Sequence, residues 1–230
     1  MSGLPYTPPA MRKLTVLAGL LLTLSACGSS GSVSYKLVLD ATGREHKSDI
    51  LLASMHVIES RVAAMSEELV RQDIAPDDEG AVITVELSNP AAVEVLTGGL
   101  TSPFTMRLMR ETTSEKATLT LEGHGSFEDT GLTGSSISWI RAEEDPSDPN
   151  KGRVFISFTP EGQELVKKVF RESKGKNLGL FVRDRLISKV PAAKEPAGDV
   201  GIDGIPSIGI ARAFADDVNV GLHVTFTPLP

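Results

Sequence analysis

The sequence predicts an α+β fold. Short segments of alternating apolar residues recur along the chain, and longer segments carry apolar residues at spacings of three and four. The two types are mixed with no regular strand–helix–strand crossover, which favours α+β over α/β. At 230 residues, 40% apolar with 21 Gly, the composition is globular. The length permits one domain or two small ones. A domain of this size buries roughly 70% of its unfolded surface and needs no metal or disulfide support. One Cys excludes a disulfide framework and a cysteine zinc site. A net charge of −7 argues against nucleic-acid binding, which depends on Lys and Arg neutralising phosphates.

The N-terminus reads as an address. Arg12 and Lys13 precede an uncharged run, Leu14 to Ala26. That run is shorter than the ~20 residues of a membrane-spanning helix and fits the apolar core of a secretory signal. Leu24-Ser25-Ala26-Cys27 resembles a bacterial lipobox. Residues 1–26 are therefore expected to be a lipoprotein signal peptide, with Met11 as an alternative start. Residues 27–32 are expected to be a lipidated Cys27 (acylated, palmitate-type) and a flexible Gly/Ser linker. The expected location is the bacterial cell envelope, anchored by lipid on the periplasmic side or on the outer face of a single membrane. Gly28 rather than Asp after the Cys points to the outer membrane where a cell has one.

The elements follow in order. Val33 to Leu39 alternates as a half-buried strand. Asp49 to Gln72 places Leu51, Met55, Ile58, Val62, Met65 and Leu69 on one helical face, its methionines read as core filling. Ala81 to Leu87 is a strand. Asn89-Pro90 caps and opens a short helix to Leu96, ended by Gly98-Gly99. Phe104 to Met109 and Ala117 to Leu121 are strands, followed by a Gly-rich passage from Gly123 to Gly134. After the strand Arg153 to Phe158, Thr159-Pro160-Glu161 starts a helix with Leu165, Val166, Val169 and Phe170 on its apolar face. Leu178–Val182 and Leu186–Val190 form a hairpin about Arg183-Asp184-Arg185. Ser207 caps a helix carrying Ile210, Ala211, Phe214, Ala215 and Val218, and His223 to Thr227 is the last strand. Acids outnumber bases in residues 27–150, and bases slightly outnumber acids in 151–230.

Catalytic signatures are missing: no G-x-S-x-G, H-E-x-x-H, G-x-x-x-x-G-K-[ST] or G-x-G-x-x-G occurs. His46, His56, His124 and His223 lack a second His at helical ligand spacing. Asp77-Asp78-Glu79 reads as a solvated acidic loop. Asp145, Asp148 and Asn150 depart from calcium-loop spacing. Glu128 and Asp129 adjoin in sequence, which does not make a catalytic pair in space. No enzyme activity, catalytic residue, metal or cofactor is expected.

Three stretches resemble the first large extracytoplasmic domain of SecD, a membrane protein of preprotein export. The first is Val57-Ile58-Glu59-Ser60-Arg61-Val62, followed by Val82-Ile83-Thr84-Val85-Glu86-Leu87, similar to an I-x-x-R-V helix and an I-x-V-E-L-P strand. Ser88 stands at the proline. The second is Thr130-Gly131-Leu132-Thr133-Gly134, similar to a T-G-L-T-G turn before a short helix and a strand, here Val154 to Phe158. Phe158-Thr159-Pro160-Glu161-Gly162 then matches F-T-P-E-G. The third runs from Asn177 to the end, where Leu178 to Ser188 resembles L-A-I-V-L-D-G-x-V-I-S. It continues with Glu195-Pro196, and Ala211, Phe214, Ala215, Val218, Asn219 and Gly221 match A-x-x-L-A-x-x-L-N-x-G. Arg185 is read as replacing the turn glycine after Asp184.

The resemblance implies a ferredoxin-like base with an inserted α+β head. Residues 33–122 would form the first part of the base and 123–206 the head. Residues 207–230 would return to complete the base. It further implies a membrane-anchored module that captures or assists exported or unfolded polypeptides, with translocon contact possible. The family's proton-driven motor lies in membrane helices that this sequence does not show, so proton-coupled export is not implied. The alternative is an envelope scaffold lipoprotein that keeps the fold, docks one envelope protein and has no part in export. The resemblance names no polypeptide-binding residue. Phe181 and Leu186, in the expected head hairpin, are the positions it offers for probing capture.

Overall fold

A computed structural model describes residues 30–40, 44–77, 80–113 and 115–230, and the side chains of all these except residues 44 and 45. The expected signal peptide and Cys27 lie outside the described residues. The elements are β1 (Gly31–Leu39), α1 (Arg44–Ala64), β2 (Leu69–Pro76), β3 (Gly80–Leu87), α2 (Pro90–Thr101), β4 (Met106–Thr112), β5 (Leu119–Leu121) and β6 (Gly125–Thr133). A 3₁₀ turn (Gly134–Ser136) leads to β7 (Ile137–Asp145), β8 (Asp148–Phe158), α3 (Pro160–Glu172), β9 (Asn177–Val182), β10 (Arg185–Pro191), β11 (Val200–Ile205), α4 (Ile208–His223) and β12 (Val224–Pro228).

The base is a four-stranded sheet in the order β12-β1-β3-β2, every neighbouring pair antiparallel. β1 and β2 run parallel on either side of β3, and β3 and β12 flank β1 in the same way. Two such split units make the ferredoxin-like arrangement. One face carries Tyr35, Leu37, Ile83, Val85, Leu87 and Phe226, packed against Ile50, Val57, Ile58 and Val62 of α1 and Leu96 of α2. The buried Tyr35 hydroxyl is 2.7 Å from the Thr97 hydroxyl, and the ring meets Phe226 edge-on at 6.1 Å. α2 starts as the sequence dictates: the Asn89 side chain accepts from Ala91 N–H, and Pro90 occupies the first turn.

The helix expected over 49–72 is corrected at both ends. α1 starts earlier, stops at Ala64, and gives way to β2. Glu67 N–H donates to Val62 O and Ser66 N–H to Ala63 O, with Ser66 at φ 58°. This is a Schellman termination with serine where glycine usually stands. The apolar spacing continues through the break because Met65 and Leu69 both reach the base core, one from the helix end and the other from a strand.

The chain between α2 and α4 builds two further sheets, β10-β9-β4-β6-β5 and β11-β8-β7. β4 and β5, within the 33–122 expected for the base, belong to the first of these. Gly31 and Ser32, expected in the linker, are in β1 opposite Leu87 and Glu86. The Gly-rich passage from Gly123 to Gly134 conceals strand β6, the glycine-containing stretch between Pro196 and Ser207 conceals β11, and β7 is a further strand that the sequence patterning does not mark. Gly131 (φ 77°) and Gly204 (φ 74°) sit at irregularities inside strands rather than in free loops. α3 is capped by Thr159, whose hydroxyl accepts from Gly162 N–H. Gly162 packs so closely that a Cβ there would lie 2.1 Å from Ser136 O.

α4 joins the two parts. Ala211, Ala215 and Val218 are in the second core, while Val220 is in the base core. Asn219, between them, is buried. Its Nδ2 donates to Ile140 O and its Oδ1 accepts from Ile140 N–H, both at 2.8 Å. The amide thereby closes the free edge of β7. Beside it Trp139 reaches the base core, stacked between His46 and His223 with ring centroids 4.7 and 5.6 Å away. His223 places its ring nitrogens 2.9 Å from Asp40 O and 3.0 Å from Ser138 O.

Replacing Asn219 by Ala would leave a buried N–H and C=O of β7 without partners. Each such group costs about 1–3 kcal/mol. The expected outcome is a loss of about 2 kcal/mol or more in urea denaturation. A loss below about 0.5 kcal/mol would show that β7 is held by other means.

Candidate functional site

The β9–β10 hairpin turns through Arg183 (φ 46°) and Asp184 (φ 62°), both left-handed without glycine. Two positive-φ residues in a two-residue loop match the right-handed twist of the strands, at a steric cost for non-glycine residues. Arg185 is already in β10 opposite Val182, so the departure from the glycine pattern falls one residue earlier than the sequence reading placed it. Ionic contacts hold the turn. Arg183 is bound to both oxygens of Asp217 on α4, at 2.5 and 3.2 Å, and its guanidinium lies 4.9 Å from the Phe104 ring centre. Arg107 of β4 reaches Asp184 at 2.5 Å, and Arg183 N–H donates to Thr105 O.

The pinned hairpin positions an edge strand. β10 ends one sheet and β11 ends the other, and each pairs on one side only. Between them lies an open cleft in two connected parts. One has a volume of about 390 Å³ and is lined by Phe170, Lys189, Pro191 and Asp199 among others. The other is about 280 Å³ and lined by Ile187, Ile205, Pro206, Ile210 and Phe214. Ser188, Ile202 and Asp203 border both. The first part is mixed in polarity, the second largely apolar.

Bulges create the apolar part. Leu186 pairs with Phe181 and Ser188 with Leu180, so Ile187 is the extra residue of β10. β11 gains an extra residue between Ile202 and Ile205, where Gly204 takes positive φ. Ile187 is 48% exposed and Ile210 is 52% exposed. The cleft wall is firm because Val190, Val200 and Ile202 also belong to the second core. Glu111 of β4 secures both strands of the hairpin: Lys189 of β10 donates to one oxygen at 2.5 Å and Asn177 of β9 to the other at 2.7 Å. These bonds, Lys189 first, hold the Glu111 carboxyl below its ordinary value, against a smaller opposing effect of burial.

The residues singled out in the sequence fall elsewhere. Phe181 is 1% exposed and packs edge-on against Phe127, with Met109 and half-buried Leu186 beside them. The hairpin face that meets the cleft is thus opposite to the one chosen for probing. Ile187 was missed because a bulge shifts alternation by one residue. His56 pairs with Asp216 at 3.1 Å. Glu128 pairs with Arg110 at 3.2 Å, and Asp129 accepts from Gly131 N–H. Asp145 and Asp148 bracket the β7–β8 turn and accept from Ser147 and Asn150 N–H, bonds that lower both carboxyls. Asp77 accepts from Gly80 N–H. Among the described residues no three His, Cys, Asp or Glu side chains are grouped to hold a metal ion, and no helix is long and apolar enough to cross a membrane.

No protein-family model matches the sequence, and no curated protein matches it. Solved structures do. SecDF of Thermus thermophilus, described as a translocon-associated membrane protein, aligns with a TM-score of 0.50 at 19% identity, covering 87% of this chain and 30% of that one. The fold is that of a SecD extracytoplasmic domain. SecDF in a super-membrane-facing form covers 88% of this chain and 30% of that one at 20% identity, with a TM-score of 0.47. A structure of SecDF described as a membrane component that enhances protein export covers 86% and 98% at 19% identity, with a TM-score of 0.47. The chain therefore spans about 30% of two of these SecDF chains and nearly all of the third. The likeness to SecD is one of fold, a split base with a large insertion before its last helix and strand.

The depressed Glu111 carboxyl gives a signed pH dependence. Its stabilisation is complete above the unfolded carboxylate value and is lost as pH falls through the lower folded value. Thermal denaturation should show the wild type falling faster than Glu111→Gln on acidification, the two converging at the lowest pH. Parallel curves would show that Glu111 does not secure the hairpin.

Proposed function

We propose that this chain is an extracytoplasmic, membrane-anchored module that captures extended segments of exported or unfolded polypeptides and assists their passage. The observation that carries this reading is the cleft between β10 and β11. Two edge strands offer unpaired backbone groups, and apolar side chains lie exposed between them. Backbone pairing to a sheet edge is tolerant of sequence, and an apolar pocket adds affinity for alternate side chains. A binder of diverse chains needs that combination. Edge strands of natural proteins are usually blunted by charge, bulge or covering. Here the bulges aim apolar residues into the cleft, and Lys189 is engaged by Glu111.

The SecD-like fold supports an extracytoplasmic setting, and the lipobox-like sequence ending at Cys27 supports a lipid anchor there. The module acts by binding rather than by catalysis, a reading supported by the engagement of Glu128, Asp129, Asp145 and Asp148 in turns and ion pairs.

The test is site-specific photo-crosslinking in the native host, with probes at Ile187 and Ile210 and a buried control at Phe181. The expected result is a range of unfolded or newly exported chains at the first two positions and few adducts at the third. A single recurring folded partner would overturn capture and make the chain a scaffold lipoprotein. In the same cells, Cys27→Ser should move the chain out of the membrane fraction, and retention there would contradict the anchor.

A further inference from the structure

Arg61 of α1 stands at the joint between base and head, and its side chain is only 23% exposed. Among the described residues its one hydrogen bond runs from Nη2 to Asp217 Oδ1, at 3.3 Å. That carboxylate is already bound on both oxygens by Arg183. Two guanidiniums thus share a single carboxylate. Two acids near this joint are engaged elsewhere, Asp216 with His56 and Asp184 with Arg107, and Glu59, which borders a groove with Arg61, makes no ion pair with it. One positive charge is left in excess at a partly buried place. Burial lowers the Arg61 guanidinium most, Asp217 raises it, and Arg183 lowers it again, as two close like charges must.

Both guanidiniums border a pocket of about 250 Å³ walled by Leu100, Phe104, Val220 and Phe226. Glycines shape it. A Cβ on Gly99 would lie 3.2 Å from Arg61 Nη1, and one on Gly221 would lie 2.2 Å from Phe104. The C-terminal turn of α2 also borders the pocket and could in principle supply the missing negative charge. Two of its carbonyls are already used, since Gly98 O accepts from Ser102 N–H and Oγ and Thr97 O accepts from Thr101 Oγ1, and a helix C-terminus carries only about half a negative charge in all. A guanidinium has five donors in a planar fork suited to a carboxylate.

We propose that this pocket binds a small carboxylate, held by Arg61 and Arg183 and balancing the charge that Asp217 leaves over. The site is separate from the β10–β11 cleft and does not depend on what the cleft binds. The carboxylate is either that of a free small acid or the free C-terminus of a peptide.

The experiment is a titration of the full chain, labelled with ¹⁵N-arginine, following the Nε–H signals of Arg61 and Arg183. Sodium acetate should give saturable shifts in the millimolar range, as expected for a ligand of few atoms. Sodium chloride at equal ionic strength should not. Arg61→Gln should weaken acetate binding at least about tenfold, a loss typical of a removed charge-assisted bond. Arg212→Gln, in a second groove that also includes His56 and Asp216 and is not part of this pocket, should leave it unchanged. Acetyl-trialanine with a free C-terminus, compared with its amide, separates the two sources. Tighter binding than acetate that the amide abolishes assigns the site to peptide termini; binding no tighter than acetate assigns it to small acids. Linear shifts matching those of chloride would overturn the proposal. So would unchanged acetate affinity in a folded Arg61→Gln variant. If that variant does not fold, the wild-type comparison of acetate with chloride still decides.

Discussion

Asn219 is the point on which the two halves of the molecule depend. Its side-chain amide pairs with both backbone groups of Ile140, closing the edge of β7 as a neighbouring strand would. The residues around it divide between two cores. On α4, Val218 packs into the inserted part and Val220 into the base; on β7, Ile140 packs into the inserted part and Trp139 into the base. A helix and a strand crossing a core boundary together need their mutual position fixed at the crossing, and a buried amide satisfying two backbone groups fixes it with direction. An apolar residue of similar size could fill the space but could not set the register of β7 against α4.

The cleft follows from that arrangement. With α4 and β7 fixed, β8 and β11 are placed, and β11 is left as an edge. The other wall is set by ionic contacts at its turn as well as by the packing of Val190. Asp217, two residues before Asn219, holds Arg183 in a turn that its backbone would otherwise disfavour, and β10 extends from that turn. Both edges thus trace back to one stretch of α4. A site so placed has a rigid frame and an open middle, which suits binding of chains that arrive unfolded and vary in sequence. The excess charge at Arg61 belongs to the same stretch, since the carboxylate shared by the two arginines is also Asp217.

Much of the fold was legible because local signals agreed with tertiary structure. Alternation marked β1 and β3, and Asn89-Pro90 and Thr159-Pro160 marked helix starts whose caps form as expected. The resemblance of Asn219 to the asparagine of a family motif located the residue but not what it binds, because Ile140 is distant in sequence. What could not be read has specific causes. The end of α1 is a Schellman turn on Ser66, and serine does not announce a left-handed residue as glycine does. β6 and β11 contain glycines at bulges, so a Gly-rich composition looked like loop. Ile187 entered the cleft by a bulge, which defeats reading by alternation and turned attention to Phe181 on the buried face. The placing of the β10 and β11 edges on either side of an open gap depends on sheet order, and no local pattern encodes it.

The proposed function requires that an unfolded chain occupy the space between these two edges. Hydrogen–deuterium exchange of the full chain, with and without a reduced and permanently unfolded polypeptide, tests it most directly. Binding by strand addition should slow exchange in β10 (Arg185–Pro191) and β11 (Val200–Ile205) together, with little change in β1 or β3 of the base. Protection confined to the base, or no protection while the polypeptide is demonstrably bound, would contradict the account.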